Sequence, residues 1–95
     1  MPSVDQEQLA ALERLLGRDV RSDEGSCPGF ADLTESNLRD ITSLAHSGAR
    51  LYAILYVRFL IGKEAGLRNA MTFVDRVMVN GVGVKDWLEN YRYRE

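Results

Sequence analysis

The chain has one cysteine, one histidine and two prolines among 95 residues, with a formal charge of only −2. A lone Cys27 excludes a disulfide scaffold. One Cys and one His fall short of the several ligands zinc needs at characteristic spacing. Asp23-Glu24 lacks the alternating oxygen ligands of a calcium loop. No metal and no cofactor are therefore expected. The mild acidity argues against a strongly basic nucleic-acid binder. Long apolar runs are also missing: the longest, Leu51 to Gly62, is shorter than the roughly 20 residues that span a bilayer, and Arg58 interrupts it. The first residues mix Asp5, Gln6, Glu7 and Gln8 with leucines, unlike a secretory signal. The expected setting is the cytoplasm, with no membrane partner.

What remains is an apolar share of 45%, enough for one core in a single helical domain over residues 1–95. Four to five helices can be read from spacing. The first starts near Ser3, with Ser3 and Gln6 at capping-box spacing, and runs through Leu9, Leu12, Leu15 and Leu16 to Gly17. Residues 17–33 carry Gly17, Ser22, Asp23, Gly25, Ser26, Pro28 and Gly29, an irregular loop anchored by Cys27 and Phe30. Asp32 or Thr34 caps a second helix over about 35–45. The third, about 50–61, is apolar on nearly every side and reads as the central helix, covered by its neighbours or by a second copy of the chain. After Gly62 and Gly66, a fourth helix presents Leu67, Ala70, Met71, Phe73, Val74, Val77 and Met78 as an apolar stripe. Together they form a helix-turn-helix hairpin over 49–79. Asn80-Gly81 fits either a two-residue hairpin or a left-handed helix terminus, and the completed stripe favours the terminus. Trp87, Leu88 and Tyr91 point to a short closing helix.

Charge divides along the chain. Residues 1–45 hold 4 basic and 9 acidic side chains, a net −5; residues 46–95 hold 8 and 5, a net +3. This polarity suits contact with a charged partner or with another copy, and equally an ordinary solvated surface.

Catalytic patterns are scarce. Cys27, His46 and Asp32 could form a nucleophile, base and orienting acid only if the fold brought them within hydrogen-bond reach. Cys27 as a loop anchor and His46 as a helix C-terminal residue is the simpler reading, so no enzyme is expected. Asn80-Gly81-Val82-Gly83 lacks the third glycine of a phosphate turn, because position 86 is Asp. Tyr91-Arg92-Tyr93-Arg94 interleaves aromatics with cations as single-strand binders do, but no broad basic patch surrounds it. A nucleic-acid-binding helix-turn-helix is the alternative: Arg68, Asn69, Thr72, Asp75 and Arg76 share the polar face, with Arg68, Arg76 and Asn69 able to reach bases and Asp75 facing phosphates.

Residues 48–75 contain Gly48, Arg50, Ala53, Ile54, Val57, Arg58 and Gly62, then Gly66, Leu67, Ala70, Val74 and Asp75. In this order they resemble the helical hairpin of the C-terminal domain of the bacterial ribosomal stalk protein, with a turn about two residues longer. The resemblance implies a helix-turn-helix unit and a docking face for protein factors at Arg50 and Arg58. The apolar Leu55 and Phe59, at places usually polar in that family, point instead to a buried hairpin or a hydrophobic partner.

The sequence thus predicts an all-α fold and a small non-catalytic protein–protein interaction module: an adaptor, inhibitor or regulatory subunit, with a homodimer as one arrangement. A chain of this size leaves a large part of its unfolded surface uncovered, so a partner is expected to complete the core. The candidate contact residues are Arg50, Tyr52, Leu55, Arg58, Phe59, Arg68, Trp87, Tyr91 and Arg92.

Overall fold

Helix α1 (Gln6–Leu16) begins where Asp5 and Gln8 satisfy each other's backbone. The Asp5 carboxylate accepts the Gln8 N–H at 2.8 Å, and Gln8 Oε1 accepts the Asp5 N–H at 3.1 Å. The capping box therefore sits two residues later than the Ser3–Gln6 pair. The computed structural model describes residues 5–62 and 65–92, with side chains as far as Leu88, and Ser3 lies outside that set. Gly17 ends α1 at φ 71, a left-handed conformation that any other residue adopts only under strain.

Thr34 caps α2 (Glu35–His46) with a second reciprocal box through Asn37, both bonds at 3.0 Å. It is followed by α3 (Arg50–Ile61), α4 (Leu67–Asn80), a 3-10 turn over Gly81–Gly83 and α5 (Val84–Arg92). The chain is all-α, and no strand occurs among the described residues. Asn80-Gly81 is a helix end: Gly81 takes φ 55, and its N–H returns to the Val77 carbonyl.

Helices α2, α3 and α4 pack on one another, α1 closes over α2 and α3, and α5 packs against α4 and the Phe30–Asp32 turn. Leu12, Leu38, Ile41, Tyr56, Val57, Leu60, Val74 and Val77 are fully enclosed. Ala53 and Ala70, also enclosed, keep the α3–α4 hairpin close. Residues Ala53 to Val57 and Phe59 to Ile61 are all buried, so α3 is the central helix. The chain covers it without a second copy, which corrects the expectation that a partner must complete this core.

A buried helix end leaves carbonyls without partners, and here the 17–33 segment supplies donors. Gly25 N–H reaches the Phe59 carbonyl at 2.9 Å, and Cys27 N–H reaches Leu60 at 3.0 Å. The segment is thus an ordered strap with two 3-10 turns, Arg21–Asp23 and Phe30–Asp32, rather than an irregular loop. Cys27 and Phe30 anchor it as expected: Cys27 is buried, and the Phe30 ring meets Phe73 at 4.9 Å between centroids.

Candidate interaction face

Two groups of residues stand out from the packed interior, a polar cluster and an exposed helix face. The cluster joins the strap to α2 and α3. The Tyr56 hydroxyl donates to Asp23 Oδ2 at 2.7 Å and accepts from Arg18 Nη2 at 2.9 Å. Arg18 also pairs with Asp40, and with Asp23 at 3.3 Å. Burial, reinforced by the neighbouring Asp23 carboxylate, pushes the Tyr56 phenol well above the ordinary tyrosine range. The hydrogen bond to Asp40 raises Arg18 further, and the Arg21 backbone N–H holds Asp19 below its usual value. Every member has a partner, and no buried side-chain polar atom among the described residues lacks one. The cluster is a clasp that fixes the strap.

Cys27 and His46 are not brought together. Cys27 Sγ lies 3.6 Å from Asn37 Oδ1 and 3.7 Å from Ser26 Oγ. His46 is exposed at the other end of α2, nine residues beyond Asn37, or about 13 Å along the axis. Among the described residues no three His, Cys, Asp or Glu side chains stand close enough to hold a metal ion. No helix of the described residues is long and apolar enough to cross a membrane.

The outer side of α4 is different. Leu67 and Met71 are 53% and 37% exposed, Val79 is 81% exposed, and Leu51 at the start of α3 is 63% exposed. Leu67, Met71, Asp75 and Val79 follow one another at four-residue spacing and form one ridge of the helix. A second ridge, Arg68, Thr72, Arg76 and Asn80, runs beside it, and all four of these residues are exposed. Arg50 bonds Asp75 through Nε and Nη2, both at 3.0 Å. That contact brings the start of α3, with Leu51 next in sequence, to the edge of the apolar ridge. On the other flank the Arg76 guanidinium lies over the Trp87 ring, 5.2 Å from its centroid.

The structure distributes the candidate contact residues unevenly. Arg50 and Arg68 are on this face. Trp87 is half-buried beneath Arg76, and Tyr52 is half-buried against the core. Arg58 is half-buried, with Nε donating to the Ala65 carbonyl at 3.3 Å. Leu55 and Phe59 belong to the core, 9% and 3% exposed, because α1, α2 and α4 leave α3 almost no open side. The side chains of Tyr91 and Arg92 lie outside the described residues.

The apolar spacing of α4 predicts Leu67 and Met71 in its buried stripe, and the structure places them outside it. The signal was present. At 100° per residue, Ala70, Phe73, Val74 and Val77 already fill an arc of about 100°, the width of an ordinary core-facing stripe. Leu67, Met71 and Met78 widen it to about 160°, more than one buried face accommodates.

No protein family, curated protein or solved structure matches the chain.

Proposed function

We propose that the chain is a small non-catalytic protein–protein interaction module, an adaptor, inhibitor or regulatory subunit, that binds through the outer side of α4 and the adjoining start of α3. The observation that carries this reading is the exposed ridge of Leu67, Met71 and Val79 on α4, with Leu51 also exposed at the start of α3. Single apolar residues on a surface are normal, whereas three on one ridge of a single helix, with the paired Asp75 between Met71 and Val79, make a mixed apolar and charged face. The proposed setting is the cytoplasm, where a lone thiol such as Cys27 stays reduced.

A photo-crosslinking residue at position 71 or 79 tests the reading in the cell of origin, with position 7 on α1 as control. A protein adduct formed at 71 and 79 but not at 7 supports it; equal labelling at all three, or none, refutes it. The second reading, a nucleic-acid-binding helix-turn-helix, draws on Arg68, Arg76 and Asn80, which share one ridge of α4. Asp75 and the apolar ridge on the same face oppose phosphate binding. An electrophoretic shift at low salt that is abolished by charge reversal at Arg68 would favour this second reading.

A further inference from the structure

The α3 and α4 helices carry four arginines, Arg50, Arg58, Arg68 and Arg76, and a single acid, Asp75. That acid is engaged by Arg50 at 3.0 Å. The Arg50–Asp75 pair is closed on itself within the ridge, and the cations left beside the exposed apolar residues are Arg68 and Arg76, one position further along α4. Arg68 stands three residues before Met71, and Arg76 three before Val79, so each arginine neighbours an apolar side chain on the helix surface. Arg76 is already positioned by Trp87, which lowers the ordering cost of a contact.

We infer that this face binds an acidic amphipathic helix of another protein, its apolar stripe laid on Leu67, Met71 and Val79 and its Asp and Glu residues beside Arg68 and Arg76. The inference rests on the reading of α4 as the binding face and adds the chemistry of the partner.

Two arguments select this occupant. The exposed portions of Leu51, Leu67, Met71 and Val79 amount to roughly two fully exposed aliphatic side chains. Covering that much apolar surface falls short of the usual cost of association, so further attraction is needed. Acidic side chains beside the arginines supply it, in the groove-binding manner by which amphipathic helices are recognised. A second copy placed on the same face by two-fold symmetry would bring the same patch to itself, adding two more arginines and no acid beyond Asp75, which Arg50 already engages.

The test is a random 16-residue peptide display library selected on the immobilised chain. The expected winners carry apolar residues at i, i+3 or i+4, and i+7, edged by Asp or Glu. Their binding should fall at least tenfold on Met71→Glu, at least tenfold on Arg68→Glu, and steeply with added salt. Circular dichroism of both variants confirms that they remain folded. Neutral or basic winners that lose binding on Met71→Glu overturn the acidic partner while leaving the face intact. Winners indifferent to Met71→Glu overturn both the inference and the reading beneath it, as does a selection that enriches nothing. Self-association in sedimentation that Met71→Glu abolishes assigns the face to a second copy and overturns the inference. Binding of duplex DNA that Arg68→Glu abolishes and Met71→Glu leaves intact overturns it too.

Discussion

Replacing Tyr56 by Phe removes one hydroxyl from the clasp and leaves the ring in the core. At neutral pH the variant loses a bond donated to Asp23 at 2.7 Å and one accepted from Arg18 at 2.9 Å. Hydrogen bonds to charged groups contribute about 1.5–3 kcal/mol. Here the side chains of Arg18, Asp23 and Asp40 keep 39%, 21% and 24% of their surface in solvent. Water and the remaining ion pairs recover part of the loss, which places the net cost near 1.5 kcal/mol. The cost depends on pH in a definite direction. The folded phenol is held above the ordinary tyrosine value, so above about pH 10 the unfolded chain releases this proton and the folded chain keeps it. Wild-type stability then falls with pH, by about 1.4 kcal/mol from this residue at pH 11 and by about the same again per further unit. Tyr56→Phe has no such proton. Its deficit should shrink to nearly zero around pH 11 and reverse beyond it. Urea unfolding followed by helix circular dichroism, across about pH 7 to about pH 11.5, measures the difference, in which the other tyrosines and the lysines cancel. A deficit that stays constant over this range would refute the argument that Tyr56 is kept neutral by burial and by Asp23.

Two further changes probe the frame that holds the face. Thr34→Ala removes the hydroxyl that accepts the Asn37 N–H at 3.0 Å and should destabilise the chain by about 1 kcal/mol in urea unfolding. Phe73→Ala deletes a ring that is 2% exposed and packed at a tilt against Phe30; a loss of about 3–5 kcal/mol is expected, enough to lower the melting temperature sharply.

The sequence was most legible where one residue or one period carried the information. Gly17 marks a helix end by itself, whereas Thr34 competes with Asp32 as the cap of α2, and Asn80-Gly81 reads as a helix end only once the completed stripe of α4 is counted. The unbroken apolar stretch of α3 identified the central helix because no polar side is left to face water. The strap was harder to foresee. Its order depends on Phe59 and Leu60 carbonyls more than 30 residues away in sequence, on the distant Tyr56 and on Asp40. No local pattern in residues 17–33 encodes those partners. The face on α4 escapes the sequence for a related reason: a period of 3.6 gives the direction of an apolar stripe but not how much of its width the neighbours will cover. Leu67 and Met71 fell on the uncovered margin, and Val79 lay outside the stripe altogether.

The small size of the chain therefore bears on function differently than composition alone suggests. A shortage of core would leave α3 incompletely covered, yet α3 is enclosed by α1, α2, α4 and the strap, and its terminal carbonyls find donors within the chain. Part of the apolar excess lies instead on α4, with Leu67 and Met71 at the margin of its buried stripe and Val79 facing away from the core. Covering Leu67, Met71 and Val79 is not required to complete the interior, and a charged substitution there should leave the fold standing. Removal of a core side chain such as Phe73 should not. This separation between what stabilises the fold and what stays exposed is the physical reason the proposed binding is placed on the α4 ridge. It also explains why the clasp at Tyr56, for all its charged groups, belongs to stability: its donors and acceptors are spent on one another.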